Sequence, residues 1–432
     1  MTVRRGRIEK FHDDQLIVDI GQLPIVVNAL KGVGVICGTP EQSQLLGLAR
    51  IPDLRDVGKA VACLRQDDNI KDTLEEFGRY QADRHCDMDE EAVVLETLKE
   101  GLKLRFAREY PGLEIQVDKS YESSWIVGEP HYGGGGQGDP QPAPEGFALP
   151  RPRRRSGVRV GVLDTPLFPA KSLEGRYFAN SGDLLDTQQR LYTVYEGHCA
   201  FVCSRILERA PAAELHVRGV LDKHGEGSAW EAAKAMAEMA DQEKPHVVNL
   251  SLGYFMTDDN TAPRVFKAAV GRFGPETVVV AAAANNGNEA ELAADPKYKG
   301  ITTNTASYPA ALPGVVGVGS VDQNGERAPF TPSPAPFISL LAPGVDLTGA
   351  YVQGKVALKS GKDGNPAGAS SAQFDGAARW EGNSFAAAVV SGEIAARTLP
   401  GRRSAREALE QLLKGAGRSR GIMPNPDISE LG

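Results

Sequence analysis

The chain has 432 residues, a length that suits two or three domains and a sizeable hydrophobic core. Charged residues make up 24% and hydrophobic residues 41%, which excludes a disordered, collagen-like or coiled-coil protein. The net charge of −8 argues against a nucleic-acid partner, and the 48 glycines favour many tight turns over a helical bundle.

The sequence predicts a cytoplasmic protein with no membrane partner. The most apolar early stretch, residues 23–37, is interrupted by Asn28 and Lys31 and does not match a signal peptide. No apolar stretch reaches the length of a transmembrane helix. The five cysteines are odd in number and sparse, which indicates a reducing compartment rather than a disulfide framework.

Residues 1–127 are predicted to form a small α+β domain. Short apolar runs at 15–20, 32–37 and 46–51 indicate strands, and apolar residues three and four positions apart within 91–110 indicate a helix. No spacing typical of a metal, phosphate or nucleophile site occurs in this region.

A Gly/Pro/Arg-rich linker is predicted at residues 128–156. It contains four consecutive glycines and six prolines, and three consecutive arginines lie near its end at 153–155. Such a composition cannot bury a core of its own. The arginines are interpreted as the solvated end of the linker, with a cleavage site or a contact for an acidic patch as alternatives.

Residues 157–432 have the pattern of a doubly wound α/β domain. Short, nearly continuous apolar runs, several of them separated by helical segments, predict a mainly parallel sheet with helices on both faces. The predicted strands lie at 158–163, 215–221, 246–252, 277–284, 315–321 and 338–341.

Three polar residues stand where apolar runs of this domain begin or end. Asp164 follows the first predicted strand, His198 precedes the apolar stretch 200–207, and Ser384 precedes the small-residue stretch 385–396. Functional sites in such sheets lie beyond the carboxyl ends of the strands. Taken alone, each residue has a structural explanation as a turn residue, a surface histidine or a helix N-cap.

The three segments together resemble the subtilisin-like serine proteases, the subtilases. The resemblance covers about residues 157–400 and implies the subtilisin-like fold. The matching strings are Val162-Leu163-Asp164-Thr165, Gly197-His198-Cys199-Ala200-Phe201-Val202, Val248-Asn249-Leu250-Ser251-Leu252-Gly253, Tyr308-Pro309-Ala310-Ala311, Val315-Val316-Gly317-Val318-Gly319-Ser320 and Gly382-Asn383-Ser384-Phe385-Ala386-Ala387.

The resemblance implies a serine endopeptidase with a catalytic triad and a polypeptide substrate. Ser384 would be the nucleophile and His198 the general base, while Asp164 would orient the imidazole and balance its charge. Asn285 resembles the family's side-chain donor in the oxyanion hole, beside the backbone N–H of Ser384. An esterase or a transpeptidase could use the same acyl-enzyme and differs in what accepts the acyl group.

Residues Ser251, Leu252 and Gly253 resemble the edge along which family substrates bind as an added strand. A turn at the end of a strand is the alternative interpretation of these three residues. No organic cofactor is expected, and structural calcium is expected in the family without a ligand set that can be numbered here. The N-terminal domain is expected to contact the peptidase domain, either as an inhibitory, folding-assisting segment or as a recognition domain.

Several residues depart from the family pattern. Ala284 stands where glycine is usual, Asn383 replaces the usual threonine before the serine, and Cys199 follows the histidine. These departures leave open a weakened or inactive relative that acts as a peptide-binding module. Cys199 and Cys203 are interpreted as core residues, with a metal site or a thiol switch as alternatives.

Overall fold

The structure is a computed structural model, and it describes residues 3–5, 10–84, 90–112, 114–123, 138–143, 147–151, 156–255, 262–294, 301–358, 370–415 and 421–427. The chain divides into two units. Unit 1 comprises residues 1–122, 228–234 and 256–269, and unit 2 comprises residues 123–227, 235–255 and 270–432. Much of the predicted linker, including the arginines at 153–155, lies outside the described residues.

The first 123 residues contain four helices and five strands within the described ranges. The helices are α1 Leu23–Gly32, α2 Val57–Leu64, α3 Lys71–Arg84 and α4 Glu90–Glu109. The strands are β1 Val3–Arg5, β2 Lys10–Asp19, β3 Glu41–Ser43, β4 Leu48–Ile51 and β5 Val117–Ser123.

Strand β2 is the centre of the unit 1 sheet. It pairs antiparallel with β4 on one side and β5 on the other, β3 extends the sheet beyond β4, and β1 also pairs with β2. Leu16, Ile17 and Val18 of β2 are fully buried.

The strand predicted at 32–37 is wrong. Helix α1 continues to Gly32, and Gly34 then adopts a φ of 85°, a left-handed conformation that breaks an extended run. Only Ile36 makes an isolated bridge there, to Arg55. An apolar run of this length does not by itself distinguish a helix end from a strand.

From residue 124 onward the described helices are α5 His198–Arg209, α6 Ala229–Gln242, α7 Arg264–Val270, α8 Glu289–Ala294, α9 Asn383–Arg397 and α10 Ala405–Lys414. Short 3₁₀ turns lie at Ile20–Gln22, Lys171–Leu173, Ser181–Asp183 and Val194–Gly197.

The strands of the same part of the chain are β6 Gln141–Pro142, β7 Arg159–Asp164, β8 Tyr177–Phe178, β9 Tyr192–Thr193, β10 Glu214–Gly219, β11 Gly227–Ser228, β12 Val247–Leu250, β13 Tyr254–Phe255, β14 Val278–Ala282, β15 Ser307–Tyr308, β16 Val315–Val321, β17 Ile338–Pro343, β18 Leu347–Ala357, β19 Ser371–Trp380 and β20 Met423–Pro424.

Unit 2 is built on an eight-stranded sheet in the order β20-β17-β16-β14-β12-β7-β10-β8. Its pairs are parallel except for the edge pair β17–β20, and each predicted strand of 157–432 overlaps one strand of this sheet. Helix α5 leads from β7 to β10, whereas α6 and α7 lead back to β12 and β14. The strands are thus added first on one side of β7 and then on the other. Right-handed crossovers then place the connecting helices on opposite faces of the sheet, so the predicted fold class is confirmed.

Helices α5 and α9 pack against each other. Residues 198–207 of α5 and 383–395 of α9 are buried, and α9 also contacts β12, β14, β16 and β17. Gly392 permits the close approach, because a Cβ there would lie 2.7 Å from the Ile206 carbonyl oxygen. The N-terminal residues of both helices lie at the carboxyl ends of strands of the unit 2 sheet, since His198 contacts Asp164 and Asn383 contacts Asn285.

A second sheet, with the order β6-β19-β18-β9, was not predicted. Strands β18 and β19 form a long antiparallel pair, and β6, from the predicted linker, pairs antiparallel with β19. Pro142 suits this edge position because an edge strand leaves N–H groups unpaired. Asp139 and Leu149 are also buried, so part of the predicted linker is built into unit 2.

Candidate active site

Asp164 and His198 form the best-defined pair of the site. Asp164 is the last residue of β7. After β7 the chain adds β10 on one side of this strand and then β12 on the other, so β7 lies at the switch point of the strand order. His198 is the first residue of α5. The His198 Nδ1 lies 2.8 Å from the Asp164 Oδ1. With the carboxylate ionised, Nδ1 carries the proton, which leaves Nε2 as the proton acceptor.

The Asp164 carboxylate is fully buried. Its Oδ1 also accepts a hydrogen bond from the backbone N–H of Thr165 over 2.7 Å, whereas its Oδ2 has no partner among the described residues. A carboxylate excluded from water interacts strongly with a charge that develops on the neighbouring imidazole. The pair therefore holds the ring through Nδ1.

Ser384 lies in the first turn of α9, directly after Asn383. Gly382 precedes the helix with a φ of 155°, a conformation that favours glycine. The first four N–H groups of a helix have no acceptor within it, and they carry the positive end of the helix dipole. The backbone around Ser384 is thus suited to a developing negative charge.

Asn383 links the nucleophile's helix to the loop after β14. Its backbone N–H donates to the Asn285 Oδ1 over 3.0 Å, and its side-chain Nδ2 donates to the Ala284 carbonyl. The Asn383 Oδ1 accepts from the Thr331 hydroxyl over 2.8 Å. The backbone of Asn383 therefore holds the predicted oxyanion residue Asn285 beside the helix, and the asparagine side chain holds the preceding Ala284.

Ala284 has a φ of 66°, in the left-handed region where a Cβ is strained. The glycine that is usual at this position in the family would adopt such a φ without this strain. The strain is located in the residue directly before Asn285.

The Ser251 hydroxyl contacts the first turn of α9, and the role of this residue at the substrate edge stays a prediction. Its Oγ donates to the Ser384 carbonyl over 3.0 Å and accepts from the Asn249 Nδ2 over 2.9 Å. The Ser391 Oγ in turn donates to the Asn249 Oδ1. This buried chain of hydrogen bonds fixes the first turn of α9 against β12, a contact that motif reading did not identify.

Leu252 and Gly253 follow Ser251 and are buried. They lead directly into β13, which pairs with β15. Their role as a substrate-binding edge stays a prediction.

The segment that carries Ser384 also contacts the base. The ring of Phe385 lies 5.4 Å from the His198 ring, centroid to centroid. No hydrogen bond joins the Ser384 hydroxyl to His198, both of which the structure describes, so the contact between nucleophile and base stays a prediction. Such contacts are often long without substrate and shorten in the complex.

Trp380 was not identified from the sequence, although it lies four residues before Ser384. Its ring is perpendicular to that of His198, with centroids 5.7 Å apart. The sequence indicated this residue only as an aromatic side chain just before the serine motif. Its contact with His198 could not be predicted without the pairing of β18 with β19.

Cys199 and Cys203 are fully buried free thiols. Burial, together with a hydrogen bond between the two thiols, raises the pKa of Cys199 well above its ordinary value. A protonated, inaccessible thiol is a poor nucleophile and a poor metal ligand, which supports the interpretation as core residues.

Across the described residues, no group of three or more histidine, cysteine or acidic side chains is arranged to hold a metal ion. The expectation of structural calcium stays a prediction, because calcium also binds backbone and amide oxygens. Within the same part of the chain, none of the helices combines the length and apolar character that crossing a membrane requires.

The mainly parallel α/β sheet carries a buried Asp–His pair at its switch point. The family model of the subtilase family, peptidase S8, matches residues 155–414, more than half of the chain. The chain belongs to the subtilase family.

Curated relatives match just under half of the chain. The thermostable alkaline protease of Halalkalibacterium halodurans is 30% identical over 216 residues, which cover 48% of this chain and 53% of that protein. Subtilisin Savinase of Lederbergia lenta is 31% identical over 201 residues, which cover 45% of this chain and 67% of that protein. The match thus spans about half the length of the first relative and two thirds of the second.

A solved structure is similar over most of the chain. Fervidolysin from Fervidobacterium pennivorans, a keratinolytic enzyme related to subtilisin, has a TM-score of 0.56 and 15% identity. The similarity covers 96% of this chain and 60% of that chain. It supports the fold.

Proposed function

We propose that this chain is a serine endopeptidase that hydrolyses peptide bonds through an acyl-enzyme on Ser384. The observation that carries the proposal is the buried Asp164 carboxylate, 2.8 Å from the His198 Nδ1. This contact fixes the histidine tautomer whose Nε2 can take a proton. The family membership and the position of Ser384 in the first turn of α9 support it.

In the acylation step, the His198 Nε2 takes the proton of the Ser384 hydroxyl while Oγ attacks the peptide carbonyl carbon. The carbonyl oxygen becomes negative and is stabilised by the Ser384 N–H and the Asn285 side-chain amide. The imidazolium, balanced by Asp164, then protonates the leaving amine and the C–N bond breaks.

In the deacylation step, the same imidazole removes a proton from water, and the oxygen of that water attacks the ester carbon. The acid product leaves and Ser384 recovers its proton. The reaction needs no organic cofactor, and any structural calcium would act outside these steps.

A digest of a peptide library tests this proposal most broadly, since the cleavage preference is unknown. The wild type is expected to produce internal cleavages that Ser384→Ala does not. A peptide-binding module, the alternative, would retain peptides and cut none. Equal digests from both proteins would contradict the proposal, since they would originate from a contaminating protease.

For the N-terminal domain we propose an intramolecular contact with the peptidase domain, in the manner of an inhibitory, folding-assisting segment. Ion pairs within unit 1 support it. Arg264 of α7 binds both carboxylate oxygens of Asp19 over 2.7 Å, and Lys234 of α6 lies 2.5 Å from Glu41. Thus residues from the family-matched region are paired with residues of the first 127.

Intact-mass measurement tests the inhibitory role. Wild type incubated at working concentration is expected to lose an N-terminal fragment, whereas Ser384→Ala is expected to stay whole. Identical masses in the two proteins would remove self-processing and leave the recognition role.

A further inference from the structure

The His198 imidazole is held by more than its hydrogen bond to Asp164. One hydrogen bond fixes one atom of the ring, Nδ1, and leaves the ring free to tilt about that contact. The His198 side chain is buried, and two aromatic rings limit this tilt. Trp380 is perpendicular to it at 5.7 Å, and Phe385 is inclined by 40° at 5.4 Å.

Trp380 is itself held rigidly. Its ring contacts Phe201 and Tyr351 edge-on at centroid distances of 6.0 and 5.9 Å, and it contacts Phe385 at 5.2 Å. Perpendicular pairs at such distances are attractive because the edge of one ring meets the face of the other. The Tyr351 hydroxyl is anchored on the Val194 carbonyl over 2.5 Å.

The backbone of Trp380 is also restrained. It is the last residue of β19, and it pairs with Leu347 of β18. On the other edge of the same strand, the neighbouring Arg379 pairs with Gln141 of β6. Because β19 is paired on both edges at its end, the indole presents a fixed surface to the imidazole.

We infer that Trp380 is a positioning residue, which keeps the His198 Nε2 directed at the Ser384 hydroxyl. Trp380 and Phe385 flank the nucleophile in sequence and both contact the base. A single six-residue segment therefore carries the nucleophile and orients the group that activates it. The inference rests on the proposed peptidase function and names a residue that the triad motifs do not include.

The test compares Trp380→Leu with Phe374→Leu. Phe374 is a fully buried ring on the same strand that packs on Tyr351 at 4.8 Å, so its replacement also removes buried aromatic area. Two readouts are used for each folded variant: kcat and KM on a peptide cut by the wild type, and the His198 Nδ1–H proton resonance, assigned by its loss in His198→Ala.

Trp380→Leu is expected to lower kcat about 10- to 100-fold with KM little changed, and to broaden the Nδ1–H resonance, because the base is misplaced relative to the nucleophile. Phe374→Leu is expected to lose thermal stability but keep both the rate and the resonance. Trp380→Phe, which restores a ring, is expected to recover most of the rate.

The inference is overturned if Trp380→Leu keeps the wild-type kcat and resonance, or if Phe374→Leu loses as much of both. If Trp380→Leu does not fold, Trp380→Met, which also removes the ring, takes its place: a kcat below that of Phe374→Leu supports positioning, and an equal kcat contradicts it. A wild type without hydrolysis would end the proposed function, while the resonance would still decide the positioning role.

Discussion

The Asn285 Oδ1 accepts a hydrogen bond from the backbone N–H of Asn383 over 3.0 Å. The oxygen of the Asn285 side-chain amide is thereby directed at the start of α9. The nitrogen of the same amide is the atom that would donate to the oxyanion. Since Ser384 follows Asn383 directly, the bond sets the distance between the proposed nucleophile and the proposed oxyanion donor.

Replacing Asn285 with alanine is expected to lower kcat with little effect on KM, because the lost donor acts on charge present only in the transition state. The expected size is the loss already known for the equivalent donor of subtilisin, about 100- to 1,000-fold, rather than one derived from this structure. Steady-state kinetics on a peptide substrate measures it.

Asn286→Ala is the matched control. The Asn286 Nδ2 donates to the Thr302 and Thr305 carbonyls, so its loss should lower stability and spare kcat. Equal losses of kcat in the two variants would contradict the assigned role of Asn285.

The strain at Ala284 predicts that replacement by glycine changes the stability differently at two neighbouring alanines. Ala283 and Ala284 are both fully buried, but only Ala284 has a positive φ, 66°. Both substitutions lose a methyl group and add freedom to the unfolded chain, whereas Ala284→Gly also relieves about 1–2 kcal/mol of left-handed strain. Denaturant unfolding should therefore find Ala284→Gly more stable than Ala283→Gly by about that amount. The opposite order would place the strain elsewhere.

Gly197, directly before His198, is expected to tolerate no side chain. A Cβ there would lie 2.1 Å from the Tyr351 ring, which is fully buried and has no room to move. Gly197→Ala should cost about 1–3 kcal/mol of stability and displace the histidine, which lowers kcat. Gly274→Ala, where no atom lies within 4 Å of the added Cβ, should do neither. A fully active, stable Gly197→Ala protein would refute the packing described around His198.

The Glu41 carboxylate predicts a pH dependence of stability. Partial burial by itself raises its pKa, but the Lys234 hydrogen bond and the Arg50 charge outweigh this and lower the pKa from 4.5 to about 2. A lowered acid pKa stabilises the folded state above the unfolded-state value of 4.5, and the stabilisation is lost as the pH falls towards 2.

Melting temperatures of wild type and Glu41→Gln should therefore differ at pH 7 and converge towards pH 3. Glu76→Gln, which alters an exposed carboxylate of α3, provides the control and should show no such convergence. A gap between wild type and Glu41→Gln that widens in acid would contradict the assigned ion pairs.

The four described cysteines should react unequally with a thiol alkylator. Cys63 is exposed and Cys37 half-buried, whereas Cys199 and Cys203 are fully buried. Peptide mapping of the folded protein should find the label on Cys63 first and none on Cys199. Rapid labelling of Cys199 would restore the thiol-switch hypothesis.

The sequence predicted the main sheet well because its strands are buried on both faces. Such strands are continuous apolar runs, as at β14 and β16. The end of the run at β7 marked Asp164, and the end of the run at β14 marked Asn285. The family's motifs identified the proposed triad for a related reason, since each motif combines a polar residue with the local structure that positions it.

The second sheet could not be predicted, since its strands lack a clear pattern. Strand β19 mixes exposed and buried residues irregularly, and its partner β18 has a register shift between Ala350 and Gln353. Trp380 depends on this sheet, so its contact with His198 was hidden. The contact of the Ser251 hydroxyl with Ser384 was hidden for another reason: a motif gives the residue, whereas the direction of its hydroxyl depends on the packing of α9 against β12.

The central claim is that Asp164, His198 and Ser384 act as one unit, and reaction with a fluorophosphonate tests it most directly. Mass spectrometry is expected to find one phosphonyl group per wild-type molecule, located on Ser384, and little or none on folded His198→Ala, because the hydroxyl then has no base. A folded wild type that stays unmodified, or a His198→Ala protein modified at the wild-type rate, would contradict the account.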